Sequence, residues 1–157
     1  MAWWAASDRG KAIGAGRSTR SLAVMVITSE MLSFESAAFP VADDEDTETN
    51  PGIFGKSLAE WLSKRLNERG VPANEPFAED WGWCIELANQ KPRTGLACAS
   101  EDNERTAWRV YAFVDLGIFG QFRGKDAAVL AVTNLIAKVK DVLSTEQSVT
   151  NMRSDEA

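Results

Sequence analysis

The chain has 157 residues, of which 45% are hydrophobic and 25% charged, and it carries a formal net charge of −6 with a pI of about 4.8. This length and composition predict one globular domain that needs no disulfide or metal to fold. Nucleic-acid binding is not expected, because contact with a phosphate backbone requires clustered Lys and Arg.

The absence of histidine excludes several kinds of chemistry. It removes Ser-His-Asp and Cys-His nucleophiles and nearly all zinc and haem ligation. Cys84 and Cys98 fall in strand-like runs, where a reduced cysteine usually acts as a small buried hydrophobic residue. The sequence therefore predicts no metal site and no cofactor.

The N-terminal segment differs in charge from the rest of the chain. Residues 1–24 contain one acid, Asp8, and four basic residues, Arg9, Lys11, Arg17 and Arg20, whereas the remainder carries −9. We interpret residues 1–30 as a disordered or non-native leader, with a transit peptide as the alternative, and 31–144 as the domain. Val24 to Ile27 is apolar enough for a short edge strand. No apolar run approaches the ~20 residues of a membrane span, so a cytoplasmic location is expected.

An acidic stretch follows the first predicted strand, Leu32 to Phe39. It consists of Asp43, Asp44, Glu45, Asp46 and Glu48. Mutual repulsion favours a solvated loop, although a weak cation site and a partner-facing acidic patch are alternatives. The alternate ligand spacing of a calcium loop is missing.

The first helix is predicted over residues 51–69. Asn50 is a suitable N-cap, and Pro51 is suited to the first helical position. Gly70 can adopt the left-handed conformation that ends a helix in a Schellman motif. An apolar stripe runs along Phe54, Leu58, Trp61, Leu62 and Leu66.

The stretch from Glu79 to Leu87 is predicted to be one strand. Strict alternation would place Trp81, Trp83, Ile85 and Leu87 towards the helices and Gly82, Cys84 and Glu86 on the other face. Two further strands, at about 94–100 and 106–115, are expected to follow. Trp108 would face the core, whereas Arg109, Tyr111 and Phe113 would lie on the other face.

The remaining segments are a glycine-rich stretch, a helix and a tail. Residues 116–124, which include Phe119 and Phe122, form either a short strand with a packed loop or a hinged apolar flap. The last helix is predicted from about Asp126 to Ser144. Residues 145–157 show no periodicity and are expected to be disordered.

Together these elements predict an α+β fold. We expect an antiparallel sheet of four to five strands with both helices on one face, in the order strand, helix, three strands, helix. The other face would be solvated or would form an interface, and its aromatic character makes a homodimer plausible.

Two motifs carry a resemblance. With Asn50-Pro51-Gly52 before the first helix and Glu79-Asp80-Trp81-Gly82-Trp83 in the strand, the chain resembles a group of uncharacterised small bacterial proteins. The likeness covers roughly residues 39–87 and the last helix. It implies a domain start near residue 31 and brings no known activity with it.

Three functional hypotheses follow. The first is a non-catalytic module that binds a protein partner, of the toxin-neutralising or regulatory type, through its acidic surface. The second is a small-molecule site lined by Trp81, Trp83 and Trp108 under residues 116–124. The third is a carboxylate-dependent hydrolase, with Glu79 and Asp80 as the acids and with Glu86 facing Arg109. Adjacent residues on one strand point to opposite faces, which argues against Glu79 and Asp80 converging.

Overall fold

The computed structural model describes residues 24–118 and 124–156, and these residues contain two helices and seven strands. The elements are β1 (Met25–Thr28), β2 (Met31–Glu35), α1 (Lys56–Glu68), β3 (Phe77–Glu79), β4 (Gly82–Glu86), β5 (Arg93–Ser100), β6 (Ala107–Gly117), α2 (Lys125–Ser144) and β7 (Thr150–Asp155).

The strands form one antiparallel sheet in the order β3-β4-β5-β6-β2-β7, and β1 also pairs with β6. The predicted α+β class and antiparallel sheet are confirmed. The sheet has more strands than the four to five predicted, and the order of strands and helices differs from the prediction. The additional strands are β3 and β7, whereas β1 corresponds to the short strand for which Val24 to Ile27 is apolar enough.

β1 and β2 are two parts of one interrupted strand, and both pair with β6. At the interruption, the backbone N–H of Ser29 donates to the carbonyl of Ala112 (2.9 Å), and the N–H of Ala112 donates to the Ser29 hydroxyl (2.8 Å). The serine side chain thus replaces a backbone acceptor where the ladder is broken. β1 is therefore part of the sheet, although its residues lie within the predicted leader, residues 1–30.

The main core lies between the two helices and one face of the sheet. Leu58, Leu62 and Leu66 of α1 are fully buried, as the predicted stripe requires. They pack with α2 and with side chains from the sheet, namely Leu32, Phe34, Trp83, Ile85, Leu96, Cys98, Trp108, Val110, Ala112 and Val114. The alternation predicted for β5 and β6 is confirmed by this set.

The end of α1 agrees with the prediction, but its start does not. Gly70 has φ +78°, and the N–H groups of Gly70 and Val71 donate to the carbonyls of Asn67 and Leu66, which is the Schellman pattern. The helix begins at Lys56 instead of Pro51. Gly52 and Gly55 have positive φ, which keeps the segment after Pro51 out of the helical conformation.

The stretch from Glu79 to Leu87 is not one strand. It contains the end of β3, a tight turn at Asp80 and Trp81, and then β4, with Glu79 opposite Gly82. A Cβ atom at Gly82 would lie 2.5 Å from the carbonyl oxygen of Cys98, and its φ is +146°. Because residue 82 is glycine, the chain can reverse its direction next to β5. As a result Trp83 lies in the main core, whereas Trp81 lies in the turn.

The last helix begins at Lys125, next to the predicted Asp126, and ends at Ser144 as predicted. β6 continues to Gly117, so the first part of segment 116–124 belongs to a strand, while Phe119 and Phe122 lie outside the described residues. Residues 150–155, predicted to be part of a disordered tail, form β7. In the described parts of the chain, neither helix has the length and hydropathy needed to cross a bilayer.

Candidate functional site

Three loops meet at one end of the sheet and form what we call the acidic end, comprising residues 40–52, 79–82 and 100–106. The turns between β3 and β4 and between β5 and β6 lie at the same end because alternate turns of an antiparallel meander share an end. The loop before α1 joins them there. The three loops contain ten acidic side chains and one basic side chain, Arg105.

Two carboxylates, buried Glu45 and half-buried Asp46, fix the loop before α1. Glu45 is buried, and its Oε1 accepts hydrogen bonds from the N–H groups of Gly55 (2.6 Å) and Lys56 (2.8 Å). Asp46 Oδ2 accepts the N–H of Gly52 (2.8 Å). The prediction of a solvated loop is therefore wrong for these two acids. Glu45 accepts N–H groups that have no partner within α1, and Asp46 accepts an N–H group of its own loop.

Contacts between the loops bring the predicted groups of acids together. The N–H of Asn50 donates to the carbonyl of Asp80 (2.7 Å), and the N–H of Asn103 donates to the carbonyl of Gly52 (3.0 Å). Arg105 forms an ion pair with Asp43 (3.4 Å) and lies 5.2 Å from the ring centroid of Phe54. The acidic patch and the Glu79-Asp80 pair therefore belong to one surface.

Six of the ten acidic side chains face solvent, although Asp43 pairs with Arg105 and Glu48 with Lys56. Exposed acids come from all three loops, namely Asp43, Asp44, Glu48, Asp80, Asp102 and Glu104. Asp102 and Glu104 lie between the strands predicted at about 94–100 and 106–115, and the sequence did not link them to the acidic stretch. They belong to the acidic end because the β5–β6 turn lies at the same end of the sheet as the β3–β4 turn. The prediction of one strand over Glu79–Leu87 contained no β3–β4 turn, so this relation could not be recognised.

Trp83 lies beneath this surface, on the helix side of the sheet. Its side chain is 3% exposed, and Lys56 Nζ lies 5.0 Å from its ring centroid and 3.4 Å from Glu48 Oε1. Its Nε1 is buried without a hydrogen-bond partner in the described structure. Trp108 is also in the core, where its Nε1 donates to the carbonyl of Ser36 (2.9 Å), a structural contact.

The sheet face opposite the helices carries a second, smaller cluster. Cys84, Ala97, Tyr111 and Phe113 are buried there, with Trp81 packed against them. Burial raises the pKa of the Cys84 thiol to about 12 and also raises the pKa of Tyr111. Both groups stay protonated at neutral pH, so Cys84 is not suited to act as a nucleophile.

The ion pair predicted across this face is not formed. Glu86 pairs with Arg93, and Arg109 pairs with Glu101 (3.4 Å). Glu86 and Arg109 lie in different rows of the sheet, because Glu86 is level with Gly95 and Arg109 with Ala99. Among residues 24–118 and 124–156, no group of three or more Cys, Asp or Glu side chains is arranged to hold a metal ion.

No protein-family model, curated protein or solved structure matches the chain.

Proposed function

We propose that this protein is a non-catalytic binding module whose acidic end binds a basic surface of a protein partner. The observation that carries this proposal is the segregation of charge. Residues 25–157 contain 22 acidic and 13 basic side chains, and the three loops alone contain ten of the acids and one of the bases. In the rest of residues 25–157, acids and bases are therefore equal in number, with twelve of each.

The construction of the loops supports this function. Backbone hydrogen bonds link all three loops, and buried Glu45 anchors the largest of them to α1. An exposed acidic surface held in a fixed shape pays little ordering cost on binding, and its field accelerates encounter with a basic partner. The same field weakens with salt, which gives the proposal a measurable signature.

Capture of partners from a lysate of the source cells, quantified by mass spectrometry, tests the proposal. The variant bait carries Asp44→Lys, Asp102→Lys and Glu104→Lys. These exposed side chains form no hydrogen bond or ion pair with another described residue. The control bait carries Glu60→Lys, Glu75→Lys and Glu156→Lys, which change the net charge equally but lie outside the three loops.

We expect at least one basic protein to be enriched by the wild type and the control at low salt. That protein should be lost with the acidic-end variant and strongly reduced at about 0.5 M salt, where the Debye length falls to a few ångströms. Equal capture by all three baits, or no enriched protein at low salt, would contradict the proposal.

A further inference from the structure

The last strand of the sheet, β7, is held in an unusual way. All six of its side chains are exposed, including Met152 at 41%. The strand is therefore attached to β2 by its backbone and by polar contacts near its start, where Asn151 Nδ2 donates to Glu35 Oε2 (3.0 Å). In the described residues, no strand pairs with its outer edge.

An open edge presents N–H and C=O groups that can pair with another strand. Proteins commonly block such edges with proline, a bulge or charged side chains, lysine above all. β7 contains no proline and no lysine, and its two charged side chains, Arg153 and Asp155, have opposite signs. Asn151 has φ +52°, and the register with β2 shifts at this end of the strand. The irregularity leaves Met152–Asp155 as the regular part of the edge. The opposite edge strand, β3, has three residues and follows Pro76.

We propose that the outer edge of β7 pairs antiparallel with β7 of a second copy, about a two-fold axis at Ser154. Charge complementarity selects both the partner and the register. Arg153 and Asp155 are two residues apart and share one face of the strand. Pairing centred on Ser154 places each Arg153 directly across from Asp155 of the other copy, whereas centring on Arg153 or on Asp155 would oppose like charges.

Within residues 25–157, the acids and bases outside the acidic end are equal in number, so this part of the chain carries no net charge that would repel a second copy. Opposite charges directly across an antiparallel pair stabilise it, and like charges destabilise it. Two-fold dimers with self-complementary interfaces are the commonest protein oligomers. Because four residues from each copy make a small interface, the association is weak and requires concentrated protein.

Sedimentation equilibrium of the full chain over a concentration series, reaching about 0.5 mM, measures this association. We expect the wild type to dimerise reversibly within this range. Arg153→Asp and Asp155→Arg should each weaken the dimer by about tenfold, because each change replaces two attractive pairs with two repulsive ones. The double variant Arg153→Asp/Asp155→Arg should dimerise like the wild type, since it restores both pairs in the opposite sense.

Both side chains are exposed, so the variants should unfold at the same urea concentration as the wild type, which serves as the check on folding. The acidic-end variant should dimerise like the wild type, which separates this proposal from the proposed function. A wild type that stays monomeric at the highest concentration, or a double variant that behaves like the single variants, would overturn the proposal.

Discussion

The carboxylate of Glu45 supplies the cap that Gly55 cannot provide for helix α1. Gly55, the residue before the helix, has no side chain to accept the first N–H groups, and Glu45 accepts two of them from ten residues away. A negative charge at this position is also favoured by the helix dipole. The sequence identified Glu45 as one of five clustered acids, and only its contacts distinguish it from Asp44.

We expect Glu45→Ala to lower the free energy of unfolding by about 1–3 kcal/mol, because it removes the acceptor of two N–H groups at a buried site. Glu45→Gln should cost less, since its amide oxygen can still accept. Asp44→Ala is the matched control; this exposed side chain forms no bond with another described residue, so its effect should stay within about 0.5 kcal/mol. Urea unfolding of the three variants measures the differences, and equal values for Glu45→Ala and Asp44→Ala would disprove the capping role.

Among the elements, helix α2 is tied to the interrupted strand through an ion pair between Lys140 and Glu30. Glu30 follows Ser29, the residue whose hydroxyl completes the ladder between β1 and β2. The hydrogen bond from Lys140 lowers the pKa of Glu30 below its usual value of 4.5, against the opposing effect of burial. A carboxyl group whose pKa is lowered by folding stabilises the folded state above its unfolded pKa, and this contribution is lost as the pH falls through its folded pKa.

Lys140→Met should therefore lower the free energy of unfolding at pH 7 but not at a pH well below 4.5, where Glu30 is protonated in both proteins. Both side chains are about one-third exposed, so solvent screening should keep the effect below about 1 kcal/mol. Lys138→Met, which changes an exposed lysine of the same helix, controls for the loss of charge. Urea unfolding at both pH values tests this expectation, and a difference from the control that persists at low pH would refute it.

The elements also show which parts of the fold can be predicted from the sequence. The spacing of apolar residues identified both helices and strands β5 and β6, because in these elements burial repeats with the period of the backbone. The hairpin at Asp80 and Trp81 was missed, since it depends on the close approach of Gly82 to the carbonyl of Cys98 in a different strand. β7 was missed because its side chains are all exposed and carry no hydrophobic pattern.

For the whole molecule, the acidic end was predictable in part. The clustering of acids in the sequence revealed the acidic stretch before α1. Whether it forms one surface with Asp80, Asp102 and Glu104 depends on which turns share an end of the sheet. In this surface the exposed carboxylates repel one another, while Glu45 and Asp46 anchor the loop before α1 through hydrogen bonds. A surface that is retained for binding can destabilise the fold through this repulsion. Reducing its charge should then raise the stability of the folded protein.

The variant with Asp44→Lys, Asp102→Lys and Glu104→Lys should accordingly melt at a higher temperature than the wild type at low salt. We expect a gain of about 2 °C, because relieved repulsion between exposed groups is worth at most about 1 kcal/mol.

The gain should disappear at about 0.5 M salt, where charges separated by more than a few ångströms are screened. The variant with Glu60→Lys, Glu75→Lys and Glu156→Lys should gain less, since acids and bases are equal in number in the part of residues 25–157 outside the three loops. Thermal unfolding followed by circular dichroism at the two salt concentrations measures both effects. A loss of stability in the acidic-end variant, or a gain that salt does not remove, would show that repulsion between these loops does not limit the stability of the fold.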